Sequence, residues 1–220
     1  MSGRFLEFST ITPIYRQTEK ANKANSVKLC HMNTLWIIGA FTEKITAKAA
    51  AEQHNGIIIS STSSQTSHLP FAALVLSATD DIETFRVAAD IGCYLAAERN
   101  VKERPICELT EATKPGVLGV FTMVANPKLG RLASDAHWRD NHAPLALQIH
   151  EAMTHYYQLS IQHRFHGPNW HGFALCCFAS EDDLRNRFFH SHQGELAIAE
   201  DVAKFADTRQ SPRRVIAKLA

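Results

Sequence analysis

The chain has 220 residues, of which 45% are hydrophobic, and its formal net charge is +1. A chain of this length can bury one large core or two small ones. The balanced charge argues against nucleic acid or an anionic membrane as a partner, because both select a basic surface. No apolar run approaches the roughly 18 residues that cross a bilayer, and residues 1–7 have no signal-peptide core. Five scattered cysteines without a CxxC pair indicate reduced thiols, so we expect a cytoplasmic protein.

Residues 1–33 are predicted to be an N-terminal extension, with a strand pattern at 5–11 and a polar, peripheral stretch at 17–28. Residues 34–110 then alternate between strand and helix patterns. Strands are predicted at 35–41, 56–60, 71–77 and 104–110, and helices after Thr42, the candidate N-cap, and at 80–99. The order is β-α-β-β-α-β.

Residues 111–116 include Lys114-Pro115-Gly116 and form the predicted linker. Residues 117–220 repeat the same order of elements. Strands are predicted at 116–125, 154–162, 171–179 and 215–219, with a hairpin connection at 163–169, a helix from 131 to about 151, and a helical region from Ser180 to about 205, broken near 190–194. Ser180 followed by three acidic residues is typical of a helix N-terminus.

Two β-α-β-β-α-β units predict an α+β fold of two tandem ferredoxin-like halves, each an antiparallel sheet with two helices on one face. The strands at 117–124 and 171–178 are apolar on both parities, as expected of strands buried on both sides. The second face of each sheet therefore has to be covered. We expect two sheets to pair into an α/β barrel of the dimeric type, within the chain or between chains.

Histidine is concentrated in the second half, where residues 137–192 hold nine of the chain's twelve. At 100° per residue, a helix would place Trp138, His142, Leu145 and Ile149 on one stripe that faces the sheet. Pro144 cannot donate a backbone hydrogen bond, so it should loosen the helix next to His142. Periodicity alone allows His142 to be either a core-edge residue bonded to the backbone or a ligand-facing imidazole. His137 falls on a neighbouring face, which predicts a position at the margin or in solvent.

The remaining histidines do not form a metal site in the sequence. The pairs His163/His166 and His190/His192 have no cysteine or acidic cluster nearby that would complete a ligand set. His155 and Tyr157 share one face of the strand at 154–162, and Tyr156 takes the other. We expect His155 and Tyr157 to line the pocket, the alternative being half-buried strand aromatics. The Ser/Thr-rich run at 60–67 lacks the pattern of a phosphate loop, and no dinucleotide motif occurs, so no cofactor is predicted.

Three motifs between about residues 117 and 219 make this region similar to the EthD family, which belongs to the dimeric α/β-barrel superfamily. The first is Trp138 followed by His142-Ala143-Pro144-Leu145, the second runs from Gly172 to Phe178 and Ser180, and the third comprises Asp201, Phe205 and Asp207. One departure is Leu175, which stands where the family often has an acidic residue that could pair with the histidine. The first half carries none of these motifs and is interpreted as a diverged second copy on its architecture alone.

The resemblance implies a small, apolar or aromatic, oxygenated compound held between helix and sheet. It implies a cofactor-independent lyase, cyclase or isomerase with His142 as general acid or base, and Trp138, Leu145, His155 and Tyr157 lining the pocket. The alternatives are a non-catalytic small-molecule-binding protein or an accessory protein to an oxygenase, and, third, a haem-binding protein. A homodimer or an intrachain pseudo-dimer is expected, with no metal, nucleic acid or membrane as partner.

Overall fold

The computed structural model describes residues 34–219. The strand predicted at 5–11 and the rest of the N-terminal extension lie outside the described residues. The first half consists, in chain order, of β1 (Leu35–Phe41), α1 (Lys44–Gln53), β2 (Ile57–Ser61), β3 (Ala73–Ser77), α2 (Ile82–Ala88) and β4 (Gly92–Lys102), followed by a 3₁₀ turn at Ile106–Glu108. The second half consists of β5 (Val117–Met123), α3 (Arg131–His137), a π-helical segment (Trp138–His142), α4 (Ala143–Ile149), β6 (Met153–His166), β7 (Gly172–Phe178), α5 (Glu181–Asn186), α6 (His192–Phe205) and β8 (Val215–Leu219).

The strands form one closed antiparallel barrel in the order β1-β3-β2-β8-β5-β7-β6-β4. Two seams join the halves: β2 pairs with β8, and β4 pairs along most of its length with β6. The mixed α+β barrel predicted from the sequence is therefore confirmed. The barrel closes within a single chain, which answers the question that the sequence left open.

Alternation along the strands separates the barrel interior from the outer surface, on which the helices lie. On β5, Leu118 and Val120 belong to the interior cluster, whereas Val117 and Met123 pack towards the helices of the second half. A separate cluster lies under the helices of the first half. Strand β5 is therefore covered on both faces, as its apolar residues on both parities predicted.

The largest correction concerns the end of the first half. Residues 80–99 were expected to be one helix and 104–110 a strand, but helix α2 ends at Ala88 and β4 occupies Gly92–Lys102. The alanine, glutamate and arginine in this segment favour a helix locally. Pairing on both sides, with β1 and β6, overrides that preference.

Of the two N-caps predicted from the sequence, the structure confirms Ser180 but not Thr42. Ser180 caps α5, with its hydroxyl accepting from the Asp183 amide at 3.1 Å, as predicted. Thr42 does not cap α1, since the N-cap is Glu43 and the Thr42 side chain bonds Asp90 instead. The second helical region is interrupted between Asn186 and His192, close to the expected break. No helix in the described part of the chain combines the length and apolar character needed to cross a membrane.

Candidate functional site

The helix that carries Trp138 and His142 changes its winding at the site. Residues Trp138–His142 form a π-helical turn, in which the Ala143 amide bonds the Trp138 carbonyl, five residues back. Pro144 follows at once and has no amide hydrogen to continue an α-helical ladder. The loosening predicted from Pro144 therefore takes the form of a π turn, a feature that often marks functional positions.

A cleft of about 430 Å³ lies between this helical segment, helix α6 and the outer face of the barrel. Strands β5, β6 and β7 supply one side, with Phe121, Tyr156 and Cys176 among the lining residues, and helix α6 contributes Ile198, Val202 and Phe205. Trp138, His142 and His150 line it from the other helical segment. The volume and the apolar lining are those of a small-molecule site.

The glycine that begins β7 lets Trp138 approach the sheet closely. A Cβ atom at Gly172 would lie 2.6 Å from Cζ3 of the Trp138 ring. Any larger residue would therefore have to push the indole away from the strand. Gly172, the first residue of the second sequence motif, thus fixes the position of one wall of the cleft.

His142 is held by a carboxylate from helix α6. Its Nδ1 lies 3.0 Å from Oδ2 of Asp201, and Nε2 of His137 lies 2.8 Å from the other oxygen, Oδ1. Because an ionised carboxylate only accepts hydrogen bonds, both of these ring nitrogens are assigned as donors. The Phe205 ring packs against both imidazoles, with its centroid 5.5 Å from that of His137 and 5.0 Å from that of His142.

With the hydrogen on Nδ1, neutral His142 has a free lone pair on Nε2. That atom has no hydrogen-bond partner within residues 34–219. The surrounding residues do not fully enclose Nε2, so this atom stays accessible from the cleft. This is the arrangement of a general base whose orientation is set by a carboxylate.

Electrostatics favour the neutral form of His142. Burial lowers the pKa of the imidazole below its usual value, and the hydrogen bond and charge of Asp201 oppose the shift without cancelling it. For Asp201, burial acts to raise the pKa, but the hydrogen bonds from His137 and His142 outweigh it and the net shift is downward. The pair at neutral pH is therefore an unprotonated imidazole beside an ionised carboxylate.

His150 is a second buried imidazole on the cleft, only 3% exposed. Its Nδ1 lies 2.6 Å from the Phe188 carbonyl oxygen, and the Phe188 ring centroid is 4.2 Å from its own. Burial lowers its pKa to about 4, despite the hydrogen bond to the carbonyl. His150 is therefore neutral across the physiological range.

A polar network behind the cleft supports Tyr156 and Trp138. The Gln158 amide donates to the Trp138 carbonyl at 3.0 Å and to the Tyr156 hydroxyl at 3.1 Å. Arg99 of β4 donates to Gln158 Oε1 at 3.2 Å and also binds Asp135. Since Arg99 comes from the first half, the β4–β6 seam contributes directly to the site.

The residues proposed from the sequence are divided between two sides of the sheet. Trp138 and His142 line the cleft. Leu145 is partly buried against the hydrophobic cluster that contains Trp138 and Phe205. Tyr157 belongs to the interior cluster of the barrel, where its hydroxyl donates to Glu103 at 3.1 Å, and His155 stacks beside it with centroids 6.3 Å apart. Tyr156, on the opposite parity, is the strand tyrosine that faces the cleft.

Two site residues differ from the sequence interpretation. His137 was predicted to lie at the margin or in solvent; it is partly buried, and it shares Asp201 with His142. The acidic partner thought to be replaced by Leu175 is supplied instead by Asp201 of α6, a position that the third motif already contained. The four-residue spacing of Asp201 and Phe205, which places them on one face of α6, was the available signal. No group of three or more His, Cys, Asp or Glu residues suited to a metal occurs in residues 34–219.

The fold defines an α+β protein with a closed, eight-stranded antiparallel barrel and a helix-covered cleft on its outer face. Residues 126–209, which contain Trp138, His142 and Asp201, match the family model of the EthD domain. The EthD resemblance predicted from the motifs is thus confirmed. The chain is also similar to a solved structure described as "Crystal structure study of anthrone oxidase-like protein", with 11% identity, a TM-score of 0.53, and coverage of 84% of this chain and 90% of that one. A comparison with curated proteins found no match.

Proposed function

We propose that the cleft binds a small, neutral aromatic compound that carries oxygen, and that His142 acts on it as a general base. The observation behind the proposal is the accessible Nε2 of His142, opposite an Nδ1 that is bonded to Asp201. The apolar lining suits an aromatic ring, and the lowered pKa of His142 keeps the base unprotonated at neutral pH. His142 would thus be a catalytic residue, with Asp201 as its positioning residue.

The reaction proposed is proton transfer at a carbon activated by a carbonyl group. The C–H bond breaks, its proton moves to Nε2 of His142, and the electron pair of the bond is taken up as an enolate on the carbonyl oxygen. Return of the proton to another atom of the same compound completes a tautomerisation, with no oxidant or reductant consumed. Isomerases, cyclases and decarboxylating lyases can all proceed through such an enolate, and no cofactor is required.

The solved structure of similar fold suggests a probe for this chemistry. Its description names an anthrone oxidase-like protein. Anthrone is a tricyclic aromatic ketone whose CH₂ group loses a proton to give an enolate, so it has the properties that the cleft favours. We propose a ketone of this kind as the ligand class, on the basis of the cleft and with the shared fold as support.

The test is deuterium exchange into anthrone in deuterated buffer under nitrogen, followed by mass spectrometry. The wild-type protein should accelerate exchange at the CH₂ carbon above the buffer rate. His142→Ala should reduce the protein-dependent rate by about 10²- to 10⁴-fold, the usual contribution of a general base. His155→Ala is the matched control, because this buried histidine lies on the other side of the sheet; its rate should stay within about twofold of wild type, and its fold is checked by circular dichroism.

The same experiment separates an enzyme from a binding protein. If equilibrium dialysis shows that wild type and His142→Ala bind anthrone equally and neither accelerates exchange, the base role is wrong and the binding or accessory function replaces it. If anthrone binds neither protein, the proposed ligand class is wrong as well.

We also propose that residues 34–110 and 117–220 are two ferredoxin-like halves joined by 111–116, so that one chain is an intrachain pseudo-dimer. The support is that each half has the same element order and the same run of neighbouring strands, fourth-first-third-second. A tandem chain that already closes its barrel needs no partner to complete it. Sedimentation equilibrium of the full chain distinguishes a monomer from a homodimer.

A further inference from the structure

Tyr156 is a buried polar residue on the cleft that the base chemistry of His142 does not use. Its side chain is 1% exposed, it lies on β6, and it points to the helix-covered side of the sheet, where it lines the cleft. The hydroxyl accepts a hydrogen bond from Nε2 of Gln158 at 3.1 Å. Within residues 34–219, no group accepts the hydrogen of that hydroxyl.

The orientation of Gln158 is fixed by its neighbours. Arg99 donates to its Oε1 at 3.2 Å, and the Trp138 carbonyl accepts from its Nε2 at 3.0 Å. The amide nitrogen therefore has to face Tyr156, and Gln158 cannot turn its oxygen towards the hydroxyl without losing both bonds. As a result, the phenol is held as an acceptor on one side and keeps its own hydrogen for another group.

A buried hydroxyl hydrogen without an acceptor is costly, by about 1–3 kcal/mol in typical cases, and proteins seldom leave one unused. Tyr156 cannot relieve this by ionising, because burial raises its pKa above the usual value. The Nε2 atoms of His142 and His150 are acceptors on the same cleft when the imidazoles are neutral. The Thr122 hydroxyl also lines the cleft and has no hydrogen-bond partner within residues 34–219. Tyr156 is thus a hydrogen-bond donor on the wall formed by the sheet, whereas the two imidazoles on the helical wall offer lone pairs.

We propose that the Tyr156 hydroxyl donates a hydrogen bond to an oxygen of the bound compound, and so selects ligands with a carbonyl acceptor over hydrocarbons of the same shape. This inference rests on the proposed function, since it concerns the same cleft and ligand. It adds that the oxygen of the ligand points to β6 and that its acidic C–H group points to the helix carrying His142. Tyr156 is then a specificity-determining residue that touches the ligand.

The test uses two probes of nearly the same shape, anthrone and 9,10-dihydroanthracene, which lacks the carbonyl oxygen. Their dissociation constants are measured by equilibrium dialysis under nitrogen for the wild type and for Tyr156→Phe. We expect wild type to prefer anthrone. Tyr156→Phe should weaken anthrone binding by about 3- to 10-fold, the value of one net hydrogen bond, and leave dihydroanthracene binding unchanged within about twofold.

Tyr157→Phe is the matched control, because it removes a phenol hydroxyl from the next residue, on the opposite side of the same strand. It should change neither dissociation constant. Equal binding of both probes by wild type, or an equal effect of Tyr156→Phe on both, overturns the inference and leaves the base role of His142 intact. Failure of wild type to bind either probe overturns the proposed function and the inference together.

Discussion

Each half of the barrel is covered on its outer face by a layer of helices. The side chains packed between helices and sheet differ between these two layers. Under the first half, helix α1 buries Ala47, Ala50 and Ala51 against the sheet. Under the second half, the corresponding layer contains Trp138, Phe188 and Phe205 with the imidazoles of His142 and His150. Short side chains allow a helix to lie close to a strand. Large rings hold the helix farther from the strand and do not fill all of the space between the two.

The cleft lies in the layer that contains Trp138, Phe188 and Phe205. In the first layer, the alanines of α1 pack beside the rings of Phe41 and Phe85. In the second layer, the large rings, the π turn and the break between α5 and α6 leave about 430 Å³ beside the sheet. The imidazoles of His142 and His150 line this cleft, and Asp201 holds His142 from helix α6. The buried imidazole of the first layer, His54, instead packs against Phe85 with its Nε2 enclosed. The proposed function therefore belongs to the second layer.

The largest expected effect is the acid sensitivity of the second layer. His150 has a pKa of about 4 when folded, against an ordinary value of 6.5. Below pH 6.5 the unfolded chain takes up a proton that the folded protein does not, so stability falls as the pH drops from 6.5 to 4. The full loss is about 3 kcal/mol. Urea unfolding of wild type between pH 7 and pH 4.5 measures most of it.

His150→Gln is the comparison for this measurement, since its amide can still donate to the Phe188 carbonyl but does not titrate. Its stability should fall less steeply with decreasing pH than that of wild type. Parallel curves for the two proteins would mean that His150 is not the source of the acid sensitivity.

The next effect concerns the carboxylate that orients the base. Asp201→Asn should lower the exchange rate with anthrone by about 10- to 100-fold, as losses of an orienting partner commonly do. Because the hydrogen bond and charge of Asp201 raise the pKa of His142, their loss should also move the acid limb of the pH–rate profile to lower pH. Glu200→Gln, an exposed neighbour on the same helix, is the control and should match wild type. A rate reduced with no displacement of the acid limb would indicate a purely structural role.

The sequence predicted most of the second half because its signals are local. The exception is β6, which pairs with β4 as far as His166 and so includes part of the connection predicted at 163–169. Apolar runs located β5 and β7, Ser180 marked a helix start, and Pro144 indicated the loosened turn beside His142. These features depend on neighbours within a few residues, so no knowledge of the rest of the fold was needed.

The parts that failed depend on distant contacts. Strand β4 has a helix-like composition and becomes a strand because β1 and β6 flank it. Asp201 meets His142 across 59 positions of sequence, a distance at which no periodicity argument fixes the partner. The sequence analysis assigned Tyr157 to the pocket, whereas Tyr156 lines the cleft. Because β6 is buried on both sides, alternation alone does not reveal which parity faces the cleft.

The smallest effect is expected from Pro144, and it tests whether the π turn or the bulk of the rings sets the position of the base. Pro144→Ala restores an amide that can bond the Asp140 carbonyl in a regular α-helix. The gain of a hydrogen bond and the greater freedom of the unfolded chain oppose each other, so stability in thermal unfolding should change by less than about 1 kcal/mol. The exchange rate should fall by about threefold, because rewinding turns the His142 ring away from its present position. Gln148→Ala, at an exposed site on α4, is the control. An unchanged rate in Pro144→Ala would show that Trp138 and Phe205 position His142 without the π turn, and would trace the difference between the two layers to side-chain size alone.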